Sequence, residues 1–315
     1  MLMFLRFNKV GKLSAEAVER DYNHSLVEGP DMLFFNLRNP GVLMTRSPFT
    51  REIADDEIKT FDQDGVVCLR GLFSEQWIDD MRGAAEECLQ SPGDLHAELA
   101  SEHGEEGRFF HDTFIWVRNE TCRRFVFESP AAQIAACLLQ SQKINIFFDQ
   151  WLIKEPGTTT KTPWHHDMTY WPIDGFQICT VWLALDPVTA ESGAVEYVKG
   201  SHRWGKKFRP ASFGSGSQYT EDIPDVPDID AMRDELEIAQ FNLEPGDCTV
   251  HHGLLVHAAP GNQTSDTRRR AHTSRWAGDD VTFCPRDGLQ EMPPMPSELQ
   301  SGDPIDSDLW PRIVG

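Results

Sequence analysis

The pattern of apolar positions changes character near residue 143. Before it the spacing is largely helical. Asp55 to Asp64 reads as a short helix ended by Gly65, and Val66-Val67-Cys68-Leu69 behind it reads as a strand. Ser74 stands as the N-cap of a second helix running to about Leu89, with Trp77, Met81, Ala85 and Leu89 on one face and Pro92-Gly93 as the stop. Residues 91–107 read as a polar loop, and Phe109 to Val117 as a mixed aromatic stretch. Ser129-Pro130 opens a third helix, with Ile134 and Leu138 on its buried side.

Beyond residue 143 the apolar runs are short and are separated by Pro, Gly and Asp. They predict strands at Ile144–Lys154, Trp164–Tyr170, Gln177–Leu185, Ala194–Val198, Glu237–Leu243, Asp247–His252, Leu254–Ala258 and Arg269–Trp276. Short strands at regular spacing predict a sandwich or barrel, so the fold class is mainly β with flanking helices. Residues 1–50 show no period and read as an irregular arm. One domain is expected over 51–283, and an extended tail packed on it over 284–315. Residues 212–235 begin Gly-Ser-rich and continue rich in Pro and acid. Too polar to order themselves alone, they predict a mobile loop, either a lid or a surface insertion.

Composition narrows the partners. Of 315 residues, 29 are Lys or Arg and 50 are Asp or Glu, and the net charge of −21 argues against nucleic acid or an anionic membrane. A small-molecule substrate is expected instead. The chain has no run suited to a membrane span, and its opening Met1-Leu2-Met3-Phe4-Leu5 is too short for a signal sequence. Seven scattered cysteines without a Cys-x-x-Cys pair predict reduced thiols and a cytoplasmic protein. Asn262-Gln263-Thr264 spells a glycosylation sequon but reads as a polar turn.

The candidate chemistry centres on Trp164-His165-His166-Asp167-Met168-Thr169-Tyr170-Trp171. On an extended strand His165 and Asp167 share a face and can converge on one metal. A third donor comes from Val250-His251-His252-Gly253-Leu254-Leu255-Val256-His257. Strand parity groups His251 with His257, yet a bulge at Gly253 would change this, so parity does not choose among the three. Two imidazoles and one carboxylate with open positions form the ligand set of non-haem Fe(II) oxygenases. Arg269 and Thr273 share a strand face and can hold a carboxylate. Trp116, Met168, Tyr170, Trp171 and Trp276 are the candidates for lining a substrate pocket. Arg203, Lys206, Lys207 and Arg209 form a basic cluster that reads as a solvated loop.

Many short motifs then occur in a telling order. They are Trp164-His165-x-Asp167, Trp182-Leu183-Ala184-Leu185-Asp186, Glu191-Ser192-Gly193-Ala194, Gly200-Ser201-His202, Gly246-Asp247, His257, Asn262 and Arg269, preceded by the entry segment Phe61 to Phe73. From about residue 58 to 282 the chain resembles the phytanoyl-CoA dioxygenase family. That resemblance implies a double-stranded β-helix, or jelly roll, and a dioxygenase that uses Fe(II), 2-oxoglutarate and O2. It implies that His165, Asp167 and His257 are the iron ligands, and that Arg269 pairs with the 2-oxoglutarate carboxylate beside Thr273. Three arginines stand where the family has one or two, which leaves the choice among Arg268, Arg269 and Arg270 open. Related halogenases lack the carboxylate ligand, so Asp167 implies hydroxylation of a C–H bond, or a similar oxidation, with release of succinate and CO2. The alternatives are a jelly-roll protein that binds a metal or ligand without turnover, and a hydrolytic or isomerase metalloenzyme using zinc or manganese. Neither requires Arg269.

Overall fold

The computed structural model describes residues 50–100, 107–210, 222–286, 296 and 298–315. The N-terminal arm thus lies outside the described residues, as do 212–221 of the polar loop and most of 287–297. In chain order the elements are α1 (Asp55–Asp64), β1 (Val66–Leu69), α2 (Glu75–Gln90), β2 (Ala97–Ala100), β3 (Arg108–Thr113), α3 (Glu120–Glu128), α4 (Ala131–Leu139) and β4 (Ile144–Lys154). They continue with β5 (Thr162–His165), β6 (Ile173–Asp174), β7 (Ile178–Ala184), β8 (Glu196–Val198), β9 (Ile238–Gln240), β10 (Cys248–His252), β11 (His257–Ala259), β12 (Arg269–Ala277), β13 (Thr282–Phe283) and β14 (Arg312–Val314).

The helices start and stop where local chemistry dictates. Glu57 at the first turn of α1 accepts from the Ala54 amide and pairs with Arg51. Gly65 ends the helix in the left-handed region, at φ 75°, and a Cβ there would meet His202 at 2.3 Å. Ser74 caps α2 by accepting from the Trp77 amide.

β12 shows how the larger sheet divides the molecule. Its even positions, among them His272 and Trp276, face the helices, where Trp151, Phe125, Met81 and Ile134 form the main core. Its odd positions, Arg269, Ala271, Thr273 and Arg275, face the other way and meet Trp182 and Phe148. Period-two alternation puts a dry apolar layer on one side of the strand and polar chemistry on the other. The sheet runs β1-β10-β7-β12-β4-β3-β2, with β14 added on β4. A second sheet, β5-β11-β8-β9, and a short β13-β6 pair complete the jelly roll; every pairing is antiparallel and the sheets are not closed.

Several expectations need correction. The strand expected over Trp164–Tyr170 stops at His165, and a single 3-10 turn, Met168–Tyr170, follows. The strand expected over Leu254–Ala258 begins only at His257, because Leu255 turns back to His252 through a backbone hydrogen bond of 2.9 Å. α3 occupies a stretch for which no element was expected, and β2 lies inside the stretch expected to be loop. Of the expected lid, the described part 222–235 is anchored rather than loose. Ile229 is fully buried with Phe208 and Val256, and Arg233 clamps Glu196 with two bonds of 2.9 Å. In the tail, Ile305 and Trp310 are fully buried and β14 pairs with β4. Among the described residues no helix is long and apolar enough to cross a membrane.

Candidate functional site

His165 and His257 meet because β5 and β11 place them directly opposite each other across an antiparallel pair. Their ring centroids are 4.2 Å apart. Asp167 arrives by another route than strand parity. The chain leaves β5, and the turn is pinned when the Met168 amide donates to Gly253 O at 2.9 Å. That bond ties the turn to the corner between β10 and β11, so the carboxylate comes to lie against both imidazoles. His165 Nε2 is 3.5 Å and His257 Nε2 3.8 Å from Asp167 Oδ1, and the donor atoms of the three residues lie within 4.8 Å of one another. All three are buried.

The tautomers suit metal binding. His165 Nδ1 donates to Pro163 O and His257 Nδ1 donates to Leu255 O, each at 2.8 Å. Each ring therefore presents Nε2 as the lone-pair nitrogen, turned toward Asp167. Burial alone would raise the Asp167 carboxyl, but His165, His251, His257 and Arg275 outweigh it and hold it well below the usual carboxylate range. Burial pushes the His257 imidazole well down, and the neighbouring His165 and His251 add to this. A carboxylate and neutral imidazoles are the protonation states a divalent metal needs, so the donors fit such an ion.

The other two histidines of the segment separate cleanly. His252 turns to the opposite face, where Nδ1 accepts from the Leu254 amide at 3.0 Å and the ring lies against Phe176 and His202. His251 shares the inner face; its Nε2 is 3.6 Å from Asp167 Oδ2, and neither ring nitrogen has a hydrogen-bond partner.

The three consecutive arginines are also distinguished by their partners. Arg268 pairs with Glu86 and Glu155, and Arg270 with Asp186 and Glu86. Arg269 is buried between them, with no acid paired to it among the described residues. Its Nη1 reaches only Leu152 O at 3.3 Å, its Nε has no partner, and the guanidinium lies 5.5 Å from the Trp182 ring centroid. Burial brings it down to about 10, so it remains charged at neutral pH. Trp182, the ring beneath it, also lines a small cleft with Tyr197 and Thr249, and the Tyr197 ring is 6.1 Å from that of His257. The Thr273 hydroxyl, expected to assist Arg269, instead donates to Gln150 O and accepts from Arg275.

The aromatic candidates divide. Met168 and Trp171 are buried with Phe147 and Phe148 beside the triad, and Tyr170 stands edge-on to His165 at 5.8 Å. Trp276 is a correction: it is an even position of β12, packed in the helix-side core with Nε1 donating to Ser274. Trp116 likewise belongs to that core, against Phe127 and Arg123. In the basic cluster, Lys207 pairs with Asp174, Arg209 with Asp225, and Arg203 donates to Gln63 O.

The remaining motifs are structural. The Ser201 hydroxyl donates to Val198 O and accepts from the Val256 amide, which fixes the residue before His257. Asp247 accepts from Gly71 and Glu244 amides. Asn262 is fully buried, donating to Lys154 O and Thr267 O, as befits a turn and not a glycan site.

The profile of the family described as phytanoyl-CoA dioxygenase (PhyH) matches residues 61–271. This chain belongs to the phytanoyl-CoA dioxygenase family. Phytanoyl-CoA dioxygenase domain-containing protein 1 of Danio rerio is 22% identical over 286 residues, 78% of this chain and 97% of its own. Multifunctional dioxygenase ausE of Aspergillus calidoustus is 24% identical over 238 residues, covering 69% of this chain and 71% of its own. Among solved structures, the non-haem α-ketoglutarate-dependent carbocyclase SnoK superposes with a TM-score of 0.67 at 24% identity, over 85% of this chain and 99% of that one. The epimerase SnoN, in complex with Fe3+, α-ketoglutarate and nogalamycin RO, gives 0.66 at 22% identity, over 82% and 98%. This family member is an Fe(II)- and 2-oxoglutarate-dependent dioxygenase on a jelly-roll core.

Two further histidines are expected to make the protein acid-sensitive. His166 Nε2 accepts from the Phe208 amide at 2.8 Å, and His252 Nδ1 accepts from Leu254. Protonation would break either bond. Burial, with His165 beside it, lowers His166 to about 4, and burial, with His202 beside it, lowers His252 to about 3. The unfolded chain therefore binds these protons first. Stability is full above about pH 6.5 and falls by roughly 1.4 kcal/mol per pH unit per group as the pH drops toward 4. Urea melts of the metal-free protein between pH 7.5 and 4.5 are expected to show this loss, and His252→Gln is expected to shallow it.

Proposed function

We propose that His165, Asp167 and His257 hold the ferrous ion, that Arg269 holds the distal carboxylate of 2-oxoglutarate, and that the enzyme hydroxylates a C–H bond of a small metabolite. The observation that carries this reading is Arg269. A buried guanidinium without an acid partner is costly unless a ligand supplies the anion, and both neighbouring arginines already have theirs. Bound together, ferrous iron, 2-oxoglutarate and O2 supply an oxidant able to take hydrogen from carbon, with release of succinate and CO2. The protein's part is placement. Pro163 O and Leu255 O orient the two imidazoles, Thr180 Oγ1 donates to Asp167 Oδ2 at 3.1 Å, and the packed Met168 and Trp171 keep water from the site.

We further read residues 51–283 as one catalytic domain with 284–315 as a tail packed on it, and place the protein in the cytoplasm. The seven cysteines, all free thiols and most of them buried, support a reducing compartment. The reading is tested by incubating the protein with Fe(II), 2-oxoglutarate and fractionated small-molecule extract under air. Succinate is expected above background only when iron and a substrate fraction are both present. Metal-dependent binding with no succinate from any fraction would instead support a ligand-binding protein without turnover.

A further inference from the structure

The inner face of β12 carries a second buried guanidinium, Arg275, on the Phe148 side of the site. Its Nη1 donates to Thr273 Oγ1 at 2.6 Å and its Nη2 to Gln150 Oε1 at 2.8 Å, both neutral oxygens. Its Nε has no partner, and its carbon lies 4.4 Å from the Phe148 ring centroid. The negative charges it senses are Asp167 and Asp149. Neither is available to it as a partner. Asp149 is turned to the helix side, where it accepts from His272 and the Trp116 amide, while Asp167 faces the imidazoles and Thr180.

On the inner face itself the guanidinium charges outnumber the carboxylates. The inner face holds two guanidinium charges, Arg269 and Arg275, against one carboxylate, Asp167. Ferrous iron adds two positive charges and 2-oxoglutarate two negative ones, so the inner face keeps one positive charge more than it has carboxylates, and the other anion Arg275 senses, Asp149, lies behind the sheet and bonds to His272. A charged ammonium on Lys154, whose Nζ donates to Thr160 O and Pro260 O, would only enlarge that surplus. An uncompensated charge in a water-poor site is unfavourable, and a carboxylate entering it gains a charge-assisted bond. One side of Arg275 is apolar: it lies over Phe148, which belongs to one buried cluster with Trp171 and Met168.

We infer that Arg275 anchors the carboxylate of an apolar carboxylic-acid substrate, whose hydrocarbon body lies against Phe148, Trp171 and Met168 beside the triad. This rests on the oxygenase reading above and names the substrate class for it. The ring beneath the guanidinium holds it in place by cation–π contact, while Thr273 and Gln150 fix its plane.

The test uses Mn(II)-loaded protein, which does not turn over, with calorimetry as readout. First, 2-oxoglutarate is titrated into the wild type, Arg275→Gln and Arg275→Lys. Phenylacetate, cinnamate and octanoate, each beside its primary amide, are then titrated into the 2-oxoglutarate complexes. At least one acid is expected to bind about tenfold or more tightly than its amide. Arg275→Gln is expected to erase that preference, and Arg275→Lys to keep part of it, with 2-oxoglutarate still bound by both. Thermal melts of the two variants establish that they fold. Equal binding of every acid and amide, no binding of any acid, or an unchanged preference in Arg275→Gln would overturn the inference. So would loss of 2-oxoglutarate binding in Arg275→Gln, which would make Arg275 a co-substrate residue. Failure of the wild type to bind 2-oxoglutarate would instead strike the oxygenase reading itself.

Discussion

Asp167→Ala is expected to abolish turnover and to weaken Fe(II) binding more than about 100-fold, since even the outer partners of metal ligands are worth 10–100-fold. Asp167 is the sole anionic donor of the triad and the one nearest both imidazoles. Without it two neutral rings remain, opposite a buried Arg275 that no longer senses a carboxylate there. His257→Ala is expected to behave alike, because His252 points away toward Phe176 and His251, the other imidazole of that face, lies against the other carboxylate oxygen, Asp167 Oδ2. His252→Ala therefore serves as the control, losing stability but not metal. Metal titration monitored by calorimetry, beside a denaturant melt of each variant, separates the two effects. Retained affinity in His257→Ala together with loss in His252→Ala would overturn the ligand assignment.

Arg269→Leu is expected to raise the dissociation constant of 2-oxoglutarate by roughly 30-fold to several thousand-fold, the range for about 2–5 kcal/mol lost when one partner of a buried charge pair is removed. The size follows from isolation. Arg269 is buried, with one weak bond to Leu152 O and an aromatic ring beneath it, and among the described residues no other cation lies over Trp182. Arg268→Leu and Arg270→Leu should act mainly on stability, because Glu86, Glu155 and Asp186 already pair with these two guanidinium groups. Their 2-oxoglutarate affinities should stay close to that of the wild type. Should Arg268→Leu carry the loss instead, the co-substrate would have to enter from the other side of β12.

These assignments show which parts of the site a sequence exposes. The bounds of Asp55–Asp64, Val66–Leu69 and Ile144–Lys154 were readable because each is set locally, by a glycine stop or an unbroken apolar run. α3 was not, since Cys122, Phe125 and Val126 are too few to show a period; Asn119, which caps it through the Cys122 amide, was the available signal. The convergence of His165 and Asp167 was legible from residue type, but its cause was not. A bond from Met168 to Gly253, some 85 residues apart in sequence, bends the chain where strand geometry had been expected. Parity along β12 held more than was drawn from it. Arg269, Thr273 and Arg275 share one parity and Trp276 has the other, which already set Arg275 on the site side and Trp276 among the helices. The partners that separate Arg269 from its neighbours lie on distant segments, and only the folded chain brings them together.

The most direct measurement of the central claim is the anaerobic visible absorption of the protein titrated with Fe(II) and 2-oxoglutarate, alone and together. A ketoacid that chelates iron held by His165, Asp167 and His257 should produce a new charge-transfer band only when both are present. That band should saturate at one equivalent of each, vanish in Asp167→Ala and persist in His252→Ala. Binding of both without any new band, or an undiminished band in Asp167→Ala, would contradict a shared site at this triad.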